Sequence, residues 1–203
     1  MREGFTLWFT GFSGAGKTTI SELVEKALRD RGLQVEVLDG DVVRTHLSKG
    51  LGYSREDRDT NIRRIAFVSK LLTRNGVAVI AAAISPYRST RDEARAEIGR
   101  FVEVFVKCPL ETCMERDTKG LYKRAMAGEI PVFTGVSDPY EEPTSPELVL
   151  QTHLEDPETL ARRVIATVER LGYLPPVDVG KGAYGPEDEA VIKQRLARLG
   201  YIE

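Results

Sequence analysis

Residues Gly11-Phe-Ser-Gly-Ala-Gly-Lys17-Thr18 constrain this chain more than any others. They match the spacing G-x-x-x-x-G-K-[ST] and stand between an apolar run, Phe5–Thr10, and a helical pattern that opens at Thr19. Glycines at 11, 14 and 16 let successive backbone N–H groups turn inward on an anion at the positive end of a helix. Ser13 and Ala15 complete the cradle. Lys17 is expected to reach the β- and γ-phosphates of ATP, and Thr18 to ligate Mg²⁺ through its hydroxyl. Thr19 then gives a helix cap or a further phosphate contact. A glycine-rich turn without a ligand is the plain alternative, but it has no use for the lysine and hydroxyl in this strand-to-helix setting. The loop leaves the acceptor open, because GTPases, transport ATPases and small-molecule kinases share it.

The rest of the chain repeats the strand-then-helix rhythm. Apolar runs at Phe5–Thr10, Val35–Asp39, Val77–Ala83, Val102–Lys107 and Leu148–Gln151 are continuous rather than alternating, as strands covered on both faces should be. Helical patterns fill the gaps at Thr18–Arg31, Asp57–Asn75, Thr90–Gly99 and Pro157–Leu171. The expectation is an α/β fold with a doubly wound, mainly five-stranded parallel sheet. The stretch Glu115–Pro146 is charged, carries glycines and prolines, and is too long for an ordinary connection, so it reads as a mobile lid. One domain over 1–175 is expected, followed by a tail, 176–203, with a short helix at Glu187–Leu199 whose Val191, Leu196 and Leu199 form an apolar stripe.

Composition narrows the partners. A formal net charge of -2 and a pI near 5.9 argue against a nucleic-acid binder held by a general basic field, so any anion must be caught locally. Cys108 and Cys113, with no histidine nearby, do not have a convincing metal spacing. His46 and His153 match no motif. The longest apolar run, Val77–Ile84, is far short of the roughly 20 residues of a membrane span, and no leader pattern opens the chain. These features together predict a protein of the reducing cytoplasm that binds neither nucleic acid nor membrane.

At the end of the second strand stand Asp39-Gly-Asp41 and then Arg44, where open α/β sheets place their ligands. Two carboxylates there can serve Mg²⁺ and an attacking hydroxyl, since a kinase acting on an alcohol needs a base or orienting acceptor beside it. The segment Leu51–Arg64 follows, with Arg58 and Asn61 three apart on one helical face. A cation beside an amide suits an anionic, hydrogen-bonding substrate. On composition alone the segment reads equally well as a solvated helix face.

These motifs together resemble the adenylylsulfate kinase family over about residues 4 to 174. The resemblance rests on the loop at 11–19, on Asp39-Gly-Asp41, on Arg58–Arg64, on Ile84-Ser85-Pro86-Tyr87, on Arg116-Asp-Thr-Lys119-Gly-Leu-Tyr-Lys123 and on Gly128–Gly135. It implies transfer of the ATP γ-phosphoryl group to the ribose 3′-hydroxyl of adenosine 5′-phosphosulfate (APS). It also implies that Asp41, Arg44, Arg58, Asn61, Ile84, Ser85, Lys119 and Thr134 contact APS, with Asp41 the base and Asp39 nearer the metal. Tyr53 and Phe133 would sandwich the adenine; the family usually has phenylalanine at the first of these, and here the ring carries a hydroxyl. Arg116 is then the lid cation for the transferring phosphoryl group, a homodimer is the expected assembly, and ATP sulfurylase is the expected functional partner.

The matching serine of the family has been treated both as a phosphoserine intermediate and as a ligand contact. No general base adjoins Ser85 in sequence, and in-line transfer between two bound nucleotides needs no phosphoenzyme, so contact is the expectation. Two rival functions differ in kind. One is another small-molecule kinase of the same fold, acting on a nucleoside monophosphate, gluconate or shikimate. The other is a silent nucleotide-binding module, against which Lys17, Thr18, Asp39 and Asp41 all weigh.

Overall fold

The computed structural model describes residues 3–175, and the helix expected over 187–199 lies outside them. Five strands stand where the apolar runs predict them: β1 (Phe5–Thr10), β2 (Val35–Asp39), β3 (Ala78–Ala82), β4 (Phe101–Lys107) and β5 (Leu148–Gln151). They pair in parallel in the order β2-β3-β1-β4-β5. β1 and β3 are buried along their whole length, which is why both read as unbroken apolar runs.

The helices are α1 (Lys17–Asp30), α2 (Gly40–Thr45), α3 (Arg55–Arg74), α4 (Arg88–Ile98), α5 (Leu110–Arg116), α6 (Leu121–Met126) and α7 (Pro157–Arg170). α1, α3, α4 and α7 are the four expected ones. α3 starts earlier than its apolar pattern because Ser54 Oγ accepts the Asp57 N–H at 3.1 Å and closes the first turn. α7 opens with Pro157 at its start and Asp156 accepting the Thr159 N–H at 2.8 Å. It buries Leu160, Val164, Ile165 and Val168, each stabilising the fold by about 1.5–3 kcal/mol.

The crossovers β1 to β2 and β2 to β3 run in opposite directions along the sheet. Right-handed connections therefore put α1 and α3 on opposite faces. On the α3 and α4 face, Trp8, Ala81 and Phe101 meet Ile62, Ile65, Ala66 and Ala94; α1 packs with α7. Because β1 and β3 are neighbours whose following segments leave toward opposite faces, a crevice opens beyond their carboxyl ends. The 11–18 loop follows β1 and Ile84-Ser85-Pro86 follows β3, so topology sets both on its rim.

The stretch 115–146 divides into two parts. Its second half is tied down: Tyr87 Oη donates to Asp138 at 2.9 Å, Glu141 N to Pro86 O at 2.8 Å and Arg88 Nη2 to Glu142 O at 3.0 Å. Residues 117–133 lack these anchors to the start of α4 and reach instead toward the 11–18 loop and α2. No helix among the described residues is long and apolar enough to cross a membrane.

Candidate active site

The phosphate loop has the expected form. A Cβ on Gly11 would lie 2.4 Å from Val106 O, so only glycine lets the backbone pass there, and Gly16 takes a left-handed φ of 98° as it caps α1. Lys17 Nζ donates to Gly11 O at 3.0 Å and Phe12 O at 2.8 Å, folded over the loop. Burial among these groups pushes its ammonium down to about 8. The loop is braced from outside: Tyr122 Oη donates to Ser13 O at 3.0 Å and Thr152 Oγ1 to Ala15 O at 2.7 Å. Arg116, expected at the transferring phosphoryl group, joins this brace, donating to Gly14 O at 3.3 Å and Thr152 O at 3.0 Å.

Asp39 and Asp41 are divided in their engagements. Asp39 Oδ1 accepts the N–H groups of Asp41 at 2.9 Å and Val42 at 3.4 Å, capping α2. Its Oδ2 lies 3.5 Å from Thr18 Oγ1. A hydroxyl and a carboxylate oxygen this close, beside a phosphate loop, are the hard oxygen donors that suit Mg²⁺ shared with a triphosphate. Asp41, in the first turn of α2, pairs across the cleft with Lys119, which the 117–133 segment carries over.

The candidate acceptor residues gather around the start of α3. Arg58 is 5% exposed; its Nε donates to Tyr53 O and its Nη2 to Val132 O, both at 3.0 Å, and Asp138 stands 3.8 Å away. Asn61 is buried, and its Oδ1 lacks a partner among the described residues. Such a group in a folded protein calls for an explanation, and a donor on a ligand supplies one. Tyr53 is 53% exposed, with the Arg44 guanidinium 4.5 Å above its ring, whereas Phe133 is buried edge-on against Tyr122 at 5.0 Å. Arg44 also donates to Gly52 O at 2.9 Å.

Ser85 ends the crevice side of β3 with φ 40°, a left-handed conformation that costs a non-glycine residue about 1–3 kcal/mol. Its hydroxyl is buried and accepts from Trp8 Nε1 at 3.1 Å. Among the described residues no histidine or carboxylate is a hydrogen-bond partner of this hydroxyl.

One cleft of about 1040 Å³ collects these groups. Lys17, Thr18, Thr19, Asp39, Asp41, Arg44, Tyr53, Arg58, Asn61, Ile84, Ser85, Arg116, Lys119 and Phe133 line it, with Ser13, Gly14 and Gly16. Sites for a single small ligand span about 300–1,000 Å³, and this cleft lies at the top of that range. Three expected residues do not reach the wall: Gly11 and Ala15 are buried behind the loop, and Thr134 is buried in a turn that bridges to Asp138. Tyr122, Thr152, Asp138 and Arg91 also hold the site together, although sequence alone does not point to them. Only Tyr122 lies in a motif noted above, and the others become neighbours of the site through the tertiary fold.

Comparison with known proteins adds the family. Residues 3–151 match the family model described as adenylylsulphate kinase. The chain is 61% identical over 173 residues to the adenylyl-sulfate kinase of Rippkaea orientalis, covering 85% of this chain and 96% of that one. It is 58% identical over 173 residues to a probable bifunctional SAT/APS kinase of Sorangium cellulosum, covering 85% of this chain and 30% of that one. Among solved structures it resembles the Mycobacterium tuberculosis APS kinase in complex with AMPPNP and APS, with a TM-score of 0.80 and 42% identity, over 83% of this chain and 99% of that one.

Proposed function

The chain belongs to the adenylylsulfate kinase family, and from that premise we propose that it transfers the γ-phosphoryl group of ATP to the ribose 3′-hydroxyl of adenosine 5′-phosphosulfate. The products are 3′-phosphoadenylyl sulfate and ADP. One observation carries the acceptor reading. A buried cation, Arg58, and a buried amide with an unpartnered oxygen, Asn61, open together on the cleft that holds the phosphate loop. An anionic acceptor that also donates hydrogen bonds answers both.

ATP binds with its phosphates on the 11–18 loop. Lys17 turns from the loop carbonyls to the β- and γ-phosphates, and Thr18 and Asp39 would hold the Mg²⁺ that accompanies them. When bound, the ion neutralises charge on the phosphate oxygens. Asp39 has one carboxylate oxygen engaged in capping α2 and the other turned to Thr18, which favours the metal role for it. Asp41 is then the base that orients the 3′-hydroxyl and takes its proton. Arg44, Arg58 and Asn61 bind the phosphosulfate and ribose, Tyr53 and Phe133 take the adenine, and Ile84 and Ser85 close that side. Thr134, whose buried Oγ1 lacks a partner among the described residues, adds a contact to APS beside Phe133.

The 117–133 segment is the moving part of the lid. It brings Lys119 to Asp41 and, on closure, excludes the water that would otherwise accept the phosphoryl group. Outside the site, the bifunctional relative supports a functional link to the sulfurylase that makes APS. We further infer a homodimer, which sedimentation at micromolar concentration would report as twice the chain mass.

An acceptor panel tests the function. Coupled ADP release with APS, AMP and gluconate is expected to proceed with APS; preferential turnover of AMP or gluconate would overturn the acceptor assignment.

A further inference from the structure

We propose that Arg91 is a positioning residue for the acceptor site, fixing the Ser85 turn at the end of β3 in the shape that acceptor binding requires. This rests on the assignment of that turn to the acceptor. Arg91 lies in α4, is 1% exposed, and spreads its guanidinium over three partners in different parts of the fold. Nη1 donates to Ser85 O at 2.6 Å, Nη2 to Glu141 O at 2.6 Å, and Nε to Glu103 Oε1 at 2.8 Å. One planar fork thus joins the strained turn, the strap behind the lid and the centre of β4.

Stability alone does not call for this arrangement. A buried ion pair contributes little net stability over apolar side chains of the same volume, because both charges lose their water. A guanidinium offers five donors in a rigid plane, a geometry neither lysine nor an apolar residue reproduces. Ser85 needs such a restraint, since its φ of 40° is unfavourable for a residue with a Cβ. The turn is held on its other side by Thr10 Oγ1, which donates to Ile84 O at 2.8 Å, and by Trp8 Nε1 on the Ser85 hydroxyl. Glu103 is the partner of Trp8 in the β1–β4 register, and Arg95 shares its second oxygen at 3.3 Å, so the fork is itself oriented.

Trp8 is the only tryptophan of the chain, and its indole N–H rests on the residue in question. Its fluorescence therefore reads the turn directly. The Ser85→Ala variant supplies the spectrum of an indole that has lost its hydroxyl partner. In Arg91→Lys, the emission is expected to move toward that spectrum, the KM for adenylyl sulfate to rise about tenfold, and kcat and the KM for ATP to stay within about threefold. An unchanged emission and acceptor KM in the folded variant would overturn the proposal. A parallel worsening of both KM values and kcat would do the same, since that is the mark of general loosening. Should Arg91→Lys lack a cooperative thermal transition, Glu103→Gln, which keeps Arg91 but loosens the orientation of its fork, is expected to move the emission part of the way and to raise the acceptor KM by a smaller factor; no change in either would overturn the proposal. If the parent protein does not turn over adenylyl sulfate at all, the function has failed and the emission of Arg91→Lys still decides the positioning role.

Discussion

At the scale of single residues, the site turns on what each polar group already engages. Lys17 titrates near 8 because burial disfavours its charge, and a triphosphate restores the charge by pairing with it. Nucleotide binding above pH 8 must then take up a proton. Affinity is complete below that value and falls by up to about tenfold per pH unit above it, until the pKa of the bound state is reached. Calorimetry at pH 8.5–9 in buffers of different ionisation enthalpy should record this uptake, and Lys17→Met should abolish it. Asp41→Asn removes the base while leaving the metal pair of Thr18 and Asp39 intact. The expected result is a kcat lower by about 10²–10⁴ with the KM for ATP little changed, measured by ADP release. The phosphate loop and the Asp39/Asp41 pair were legible in sequence because their chemistry is local, carried by glycines, a lysine and carboxylates at fixed spacing. The orientations of Arg116, which lines the cleft while donating to Gly14 O and Thr152 O, and of Thr134, which is buried in a turn, are not legible in sequence, because a motif names a residue but not the direction its side chain takes. Arg91 was missed because its three partners are 6, 12 and 50 positions away.

At the scale of elements, long apolar periods gave the strands and the four large helices, while the short helices left no such signal. α2 has six residues and exists because Asp39 caps it; α5 has seven and falls mostly before the charged stretch, and α6 has six and lies within it. Their placement matters most for the lid. A segment anchored by Tyr87, Arg88 and Pro86 should not move with one whose reach is toward the ligands. Limited proteolysis is therefore expected to cut within 117–133 and to spare 138–147, with ATP and APS together suppressing the cuts more than either alone. Cleavage concentrated in 138–147 would show that the strap, and not the lid, is the mobile part.

For the whole molecule, the fold and the site share one framework. The ion-pair group of buried Arg91 and Glu103 with half-buried Arg95 and Glu147 balances its charges and ties α4, β4 and the strap together. Burial works to raise the Glu147 carboxyl, but the Arg95 hydrogen bonds and the Glu103 N–H outweigh it and hold the carboxyl below its ordinary value. The stability this contributes is whole above the unfolded glutamate range, near about 4.3, and is lost as pH falls through the lower folded value. Thermal midpoints between pH 7 and 3 should drop over that window, and Glu147→Gln should flatten part of the drop. The account as a whole stands on where the phosphate goes. Incubation with ATP and APS, followed by ³¹P and ¹H NMR of the purified product, is predicted to show a new phosphomonoester coupled to the ribose H3′ with the phosphosulfate intact. A phosphate at any other position, or ADP formed with APS unmodified, would contradict it.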